Sequence, residues 1–194
     1  MVTATLEDIT RQAAEKTSKA LSTLLNKEVS IEFQKIGVKA VEDLCPLLGP
    51  EEIVAAVVMH ITGDAQGAAV LVLPKATALG MADALTGGRG ELHRRLTEFG
   101  ESAVKEVGNI VAGAYLTVLS NAVGTELIEH VPDFAYDMFG AVVSQIIANF
   151  AENADHVLVV EVEFRLPPAR LNGYFLLVFN KADSDTIFGA MEGA

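Results

Sequence analysis

Ten residues from the middle of the chain reappear, without a gap, close to its end. Gly67-Ala68-Ala69-Val70-Leu71-Val72-Leu73-Pro74-Lys75-Ala76 aligns with Gly173-Tyr174-Phe175-Leu176-Leu177-Val178-Phe179-Asn180-Lys181-Ala182, with Gly, Leu, Val, Lys and Ala coinciding. Around both copies the same succession is legible: helix, strand, helix, hairpin, helix. A period of about 100 residues is far too long for a solenoid, whose units run to about 50 at most. With 194 residues the chain can hold one good core, or two fused half-units that share one. The repeat favours the second. It predicts a pseudo-two-fold α+β protein whose hairpins join in one mainly antiparallel sheet, packed with two long helices and several shorter ones.

Taken in order, Leu6 to Leu25 reads as an amphipathic helix, with Ile9, Ala13, Leu21, Leu24 and Leu25 at apolar positions. Val29-Ser30-Ile31-Glu32-Phe33 alternates with a period of two, as a half-buried strand does. Val38 to Leu48 reads as helical in part, stopped by Gly49-Pro50. Ile53 to Thr62 and Ala68 to Leu73 are strand-like runs on either side of Gly63-Asp64-Ala65-Gln66-Gly67, the pattern of a hairpin. Pro74 to Leu85 follows as a short helix with proline in its first turn. Thr86-Gly87-Gly88-Arg89-Gly90 is the best linker signal, and divides the single domain into halves of about 1–88 and 89–194.

The second half repeats the plan. A long helical pattern from about Glu91 to Ala122 leads to Leu127-Ile128-Glu129-His130-Val131 and a break at Pro132. Ala135 to Ala151 reads as a helix. Val157 to Phe164 and Gly173 to Phe179 read as strands joined by Arg165-Leu166-Pro167-Pro168-Ala169, and Asp183 to Met191 as a final helix.

Composition removes several classes of function. Hydrophobic residues make up 51% of the chain, which excludes a disordered protein. No apolar run reaches the roughly 18 residues that span a bilayer; Met138 to Phe150 is interrupted by Ser144, Gln145 and Asn149. Met1 to Asp8 lacks the basic start and long apolar stretch of a signal peptide, so a cytoplasmic location is expected. A formal charge of −12 opposes general nucleic-acid binding and suits a basic partner surface. Cys45, the single cysteine, cannot form an internal disulfide and reads as a small buried apolar residue. His60, His93, His130 and His156 are isolated, with no metal-ligand spacing. Gly87-Gly88-Arg89-Gly90 lacks the spacing and lysine of a phosphate loop, and no serine nucleophile elbow is present. His93-Arg94-Arg95 is a small basic island that reads as a solvated helix start.

The chemistry-bearing stretch lies inside the long helical pattern. Leu96, Val104, Val107, Val111 and Leu119 recur at helical spacing and can form an apolar stripe. Ser102, Glu106 and Asn109 lie at i, i+4 and i+7, within roughly 60° of one another at about 100° per residue. A hydroxyl, a carboxylate and a carboxamide therefore project from one side. Gly108 and Gly113 each cost a helix about 1 kcal/mol relative to Ala, which suggests close approach of another backbone. From composition alone, Glu106 with Lys105 and Glu101 reads first as a solvated helix face, and Asn109 can be the site of a buried hydrogen bond.

Ser102-x-x-x-Glu106-x-x-Asn109, twenty-two residues and then Pro132 resembles the active-site signature of the CheC/CheX/FliY family of chemotaxis phosphatases. Glu106-Val107-Gly108-Asn109-Ile110-x-Ala112-Gly113 is similar to a string which that family carries. The duplicated plan, over nearly the whole chain, resembles the CheC-like fold. The resemblance implies hydrolysis of the aspartyl phosphate on a CheY-type response regulator. Glu106 would engage the regulator's active-site lysine, and Asn109 would position the attacking water. Ser102 would be a peripheral contact, and Pro132 would shape the loop beside the helix. No cofactor or metal of its own is implied; Mg2+ would come with the phosphorylated regulator. A carboxamide suits this work, because it donates and accepts hydrogen bonds and carries no charge to repel a phosphoryl group.

A shift of 98 positions sets Glu106 on Asp8, Asn109 on Arg11 and Pro132 on Gln34. Many CheC-like proteins carry the Glu-x-x-Asn pattern in both halves, whereas here the first copy has lost it. Arg11 has no acceptor with which to hold water. One active site, in the second half, is expected; Asp8 and Arg11 remain open as a partner-binding face. The alternative to an enzyme is a noncatalytic interaction module that binds the receptor deamidase CheD or a flagellar-switch partner. The sequence fixes no oligomeric state.

Overall fold

In the computed structural model, which describes residues 5–92, 94–150 and 156–192, two antiparallel hairpins lie side by side at the centre of one sheet. The first half runs α1 (Leu6–Leu25), β1 (Ser30–Ala40), two 3-10 turns, β2 (Ile53–Gly63), β3 (Gly67–Pro74) and α2 (Lys75–Thr86). A small ribbon, β4 (Glu91–Leu92) and β5 (Arg95–Leu96), leads to α3 (Glu98–Val123). Then come β6 (Leu127–Glu129), β7 (Asp133–Met138), α4 (Phe139–Phe150), β8 (His156–Leu166), β9 (Ala169–Phe179) and α5 (Lys181–Glu192).

The seven-stranded sheet has the order β1-β8-β9-β3-β2-β6, with β7 also paired to β2. Its ladders are all antiparallel. β1, from the first half, closes on β8 of the second, while β7 closes on β2 of the first. Outer strands thus cross between the halves, and neither half completes its sheet alone. The architecture is α+β, as the sequence pattern predicts.

Both faces of the sheet are covered. Ala55, Val57, Met59 and Ile61 of β2 join the core formed with α1, α2 and α3; Val54 and Ala56 join the core on the α4 side. The central β3 is therefore buried from Gly67 through Leu73 and reads as an unbroken apolar run instead of an alternation. On the α1–α3 side Tyr115 is fully buried, its hydroxyl 3.1 Å from that of Thr10 on α1. Burial pushes the phenol up to about 12.

α1 and α3 end alike. Asn26 (φ 48°) and Gly124 (φ 70°) take the left-handed conformation that closes a helix. The N–H groups of Lys27 and Thr125 then donate back to the carbonyls of Ser22 and Ser120 at 3.3 and 3.2 Å. The hydroxyls of Ser22 and Ser120 donate to the carbonyls of Val29 and Thr125. Ser22 and Ser120 stand 98 positions apart, as do Asn26 and Gly124.

Three elements differ from the sequence reading. α3 starts at Glu98, because Arg94 turns the chain at φ 60° and Thr97 caps the helix, accepting from the Gly100 N–H at 3.0 Å. Leu96 consequently sits in β5, outside the helical stripe. Ala135 to Met138 belongs to β7, where the open edge of β2 takes residues 133–138 into a ladder and delays α4 to Phe139. β1 runs on to Ala40, leaving only two three-residue turns, Val41–Asp43 and Cys45–Leu47, where a longer helix is expected. Cys45 is half-buried, against the α4-side core. The expectations for Met1–Ala4 and His93 lie outside the described residues.

Candidate active site on the third helix

α3 is laid directly on the sheet. A Cβ added to Gly108 would come 2.6 Å from Cβ and Cγ1 of Val57 on β2, so the helix backbone rests on that side chain. Val104, Val107, Val111, Tyr115 and Leu119 are buried around the same line. Near its start, Gly100 sits on Gly90, where an added Cβ would meet the Gly90 Cα at 2.8 Å. The glycines at 100 and 108 thus hold α3 closer to its neighbours than any larger residue allows.

With Gly108 facing the sheet, Ser102, Glu106, Asn109 and Gly113 fall roughly 100–160° away around the helix. Ser102 and Glu106 are exposed and Asn109 is half-buried. The three residues singled out in the sequence are therefore presented together on a helix anchored from behind. The Ser102 hydroxyl already donates to the Glu98 carbonyl at 2.9 Å, which leaves only its lone pairs outward. Among the described residues, the Asn109 carboxamide and the Glu106 carboxylate have no hydrogen-bond or ion-pair partner.

Pro132 lies away from the helix, in the break between β6 and β7. Glu129 pairs with Ile61 and Asp133 with Val58, so residues 130–132 stand opposite two residues, 59 and 60. This bulge separates β6 from β7, and the His130 N–H donates to the His60 carbonyl at 3.0 Å. Proline, having no N–H to offer the ladder, fits such a position. Val131 beside it is 85% exposed.

The structure adds a residue that the sequence reading passed over. Glu129, the last residue of β6, reaches up to α3: a Cβ on Gly113 would lie 2.7 Å from its Oε1. Burial of the carboxyl against the helix raises its pKa above the ordinary value, and Lys16 of α1 opposes that shift. Nothing in the local sequence of Glu129 marks it; Gly113 was the available signal. Phe99, 53% exposed on the first turn of α3 with the Arg89 guanidinium 5.2 Å over its ring, was likewise missed.

On α1, Asp8 and Arg11 are engaged with each other. Asp8 lies 3.1 Å from Arg11, which also reaches Glu15 at 3.4 Å. Hydrogen bonds from Arg11 and Thr5 hold the Asp8 carboxyl below its ordinary range. A groove of about 760 Å³ runs beside them between α1 and β1, lined by Thr10, Arg11, Ala14, Phe33 and Ile36 among others. Among the described residues no group of three or more His, Cys, Asp or Glu could hold a metal ion, and no helix is long and apolar enough to cross a membrane.

Known proteins resemble the chain in three ways. A model of the CheC-like family matches residues 99–136, from the start of α3 through Pro132 into β7. The CheY-P phosphatase CheC of Bacillus subtilis is 28% identical over 164 residues, which cover 80% of this chain and 76% of that protein. FliY of Thermotoga maritima has the same fold, with a TM-score of 0.73 at 22% identity over 96% of this chain and 93% of its own. The FliM middle domain of H. pylori matches at 0.68 and 16% identity, over 94% of each chain. CheX of Borrelia burgdorferi, solved with CheY, BeF3 and Mg2+, matches at 0.54 and 22% over 88% of this chain and 96% of that one. Motif, sequence and fold agree: the chain is similar to the CheC-like family model, to CheC and, in fold, to FliY and CheX.

Proposed function

We propose that the protein hydrolyses the aspartyl phosphate of a CheY-type response regulator, working from the solvent face of α3. The observation that carries this reading is the joint presentation of Glu106 and Asn109, both without internal partners, on a helix pinned to the sheet at Gly108. Phosphoryl transfer to water needs alignment more than covalent help. The Asn109 Oδ1 accepts a hydrogen bond from water and turns its lone pair toward phosphorus. The new O–P bond forms as the bond to the aspartyl oxygen breaks; the partner recovers its carboxylate and the water's proton leaves with phosphate. Glu106, one turn away, pairs with a lysine of the partner and fixes where the carboxamide enters. The ion that neutralises the phosphoryl oxygens, Mg2+, is assigned to the partner, with none held by this chain. Ser102 and Pro132 border the site without reacting. Relatives named as a CheY-P phosphatase and a CheX–CheY complex support the reaction class and the partner.

The matching helix ends, 98 positions apart, support a duplicated origin for the halves, in which Asp8 and Arg11 would correspond to Glu106 and Asn109. On that reading the first half retains no catalytic pair, and the reaction takes place in a single site, in the cytoplasm.

A noncatalytic module that binds CheD or a flagellar-switch partner is the second reading, favoured by the FliM-like fold and the Asp8–Arg11 ion pair. The decisive experiment follows decay of a phosphorylated CheY-type regulator with wild type, Asn109→Ala and Glu106→Ala. Acceleration by wild type that Asn109→Ala reduces about 100-fold supports the enzyme. Glu106→Ala should raise the protein concentration needed for half-maximal effect. Binding without acceleration by wild type would replace the phosphatase with the module.

A further inference from the structure

Glu129 is a carboxylate that another element delivers to the side of α3 that carries Glu106 and Asn109. It comes from β6, on the edge of the sheet, and its Oε1 lies 2.7 Å from the position a Gly113 Cβ would take. Residues at i and i+4 have Cβ positions about 6 Å apart. The Glu129 carboxylate, set against Gly113, therefore stands about one helical turn along the stripe from the Asn109 side chain.

We propose that Glu129 is a positioning residue of the site, whose carboxylate accepts the second hydrogen of the water that Asn109 orients. An attacking water must turn its lone pair to phosphorus and both hydrogens away from it, which requires two acceptors; Asn109 provides one. Glu129 provides the other, and Gly113 is the opening through which it reaches the helix. Any side chain at 113 would occupy the place of the carboxylate. The edge strand β6 is short, and the bulge that ends it at 130–132 keeps Glu129 on the α3 side, opposite Ile61 of the same core. The inference rests on the phosphatase reading and adds a residue to it.

The test uses the full chain and a phosphorylated CheY-type regulator, with decay measured against protein concentration. Glu129→Ala should lower the maximal acceleration about tenfold, the value of one well-placed hydrogen bond, and leave the half-maximal concentration unchanged. Glu129→Gln keeps an acceptor oxygen and should retain most of the rate. Gly113→Ala should give a loss similar to that of Glu129→Ala, and the double variant no further loss, because both remove the same contact. Circular dichroism and thermal melting check that each variant is folded. Wild-type rates in Glu129→Ala, a change confined to the half-maximal concentration, or additive losses with Gly113→Ala would overturn the proposal. If wild type gives no acceleration, the phosphatase reading falls and this inference with it; if Asn109→Ala is inactive while Glu129→Ala is normal, only this inference falls.

Discussion

Val70 on β3 stands directly opposite Leu176 on β9, and these are the same position of the ten-residue repeat. The pair marks the centre about which the two hairpins are related. On either side, Gly67 lies against the carbonyl of Val178, and Gly173 against the carbonyl of Val72. Two identities of the repeat, Gly and Val, are therefore the residues that meet across the central ladder. Small residues are needed because each strand passes the other's carbonyl where a Cβ would stand.

From this geometry Gly67→Ala and Gly173→Ala should destabilise the fold to a similar extent, by about 1–3 kcal/mol each, as overpacked cores do. Urea unfolding of the two variants checks the match. A loss at one position alone would show that the two crossings are not equivalent.

Gly108→Ala sets helix propensity against packing. Alanine gains about 1 kcal/mol in a helix interior, yet its Cβ would stand 2.6 Å from Cβ of Val57, an atom that cannot swing aside. The expected outcome is net destabilisation by about 1–2 kcal/mol with reduced phosphatase activity, because α3 must lift from the sheet. Val57→Ala should restore part of it, and the double variant should cost less than the two single changes together. Thermal melting of the four proteins measures that coupling.

Tyr115 gives a pH signature. Its phenol titrates at about 12 in the folded protein, against 10 ordinarily, because burial opposes the phenolate. Between pH 10 and 12 the unfolded chain loses the proton first, so stability falls as pH rises, by about 1.4 kcal/mol per pH unit. Tyr136 and Tyr174 are also raised by burial, and their shares remain in a Tyr115→Phe variant. Denaturant midpoints of wild type and Tyr115→Phe from pH 9 to 12 should diverge in slope, with wild type the steeper.

Asp8→Ala and Arg11→Ala should leave phosphatase rates at the wild-type level, since their ion pair lies in the open, on α1. Ser102→Ala should change the rate by less than a factor of about 5, because the hydroxyl is held by the Glu98 carbonyl. Regulator-decay rates of the three variants beside Asn109→Ala check the ranking. A loss in Arg11→Ala equal to that in Asn109→Ala would move part of the function to the first half.

The relation between sequence and structure is uneven along the chain. Helical spacing sufficed to bring Ser102, Glu106 and Asn109 onto one face, because that relation depends only on the pitch of a helix. Alternation and turn residues sufficed for the two hairpins. Residues 133–138 escaped, since an apolar run next to a helix has no local mark that it will pair with the open edge of β2. The start of α3 escaped because its cap, Thr97, and the turn at Arg94 interrupt a pattern that the apolar spacing alone carries on. Glu129 escaped entirely, sixteen residues from Gly113 along the chain and packed against it in space.

By itself the sequence determined the α+β class, most of the buried stripe of α3 and the trio of polar residues on its other side, all consequences of short-range periodicity. Only the tertiary structure decided that the outer strands cross between the halves, that Gly108 is the seat of α3 on Val57, and that Gly113 admits Glu129. Those are contacts between residues remote in the chain, fixed by which backbones can approach closely and not by any local preference.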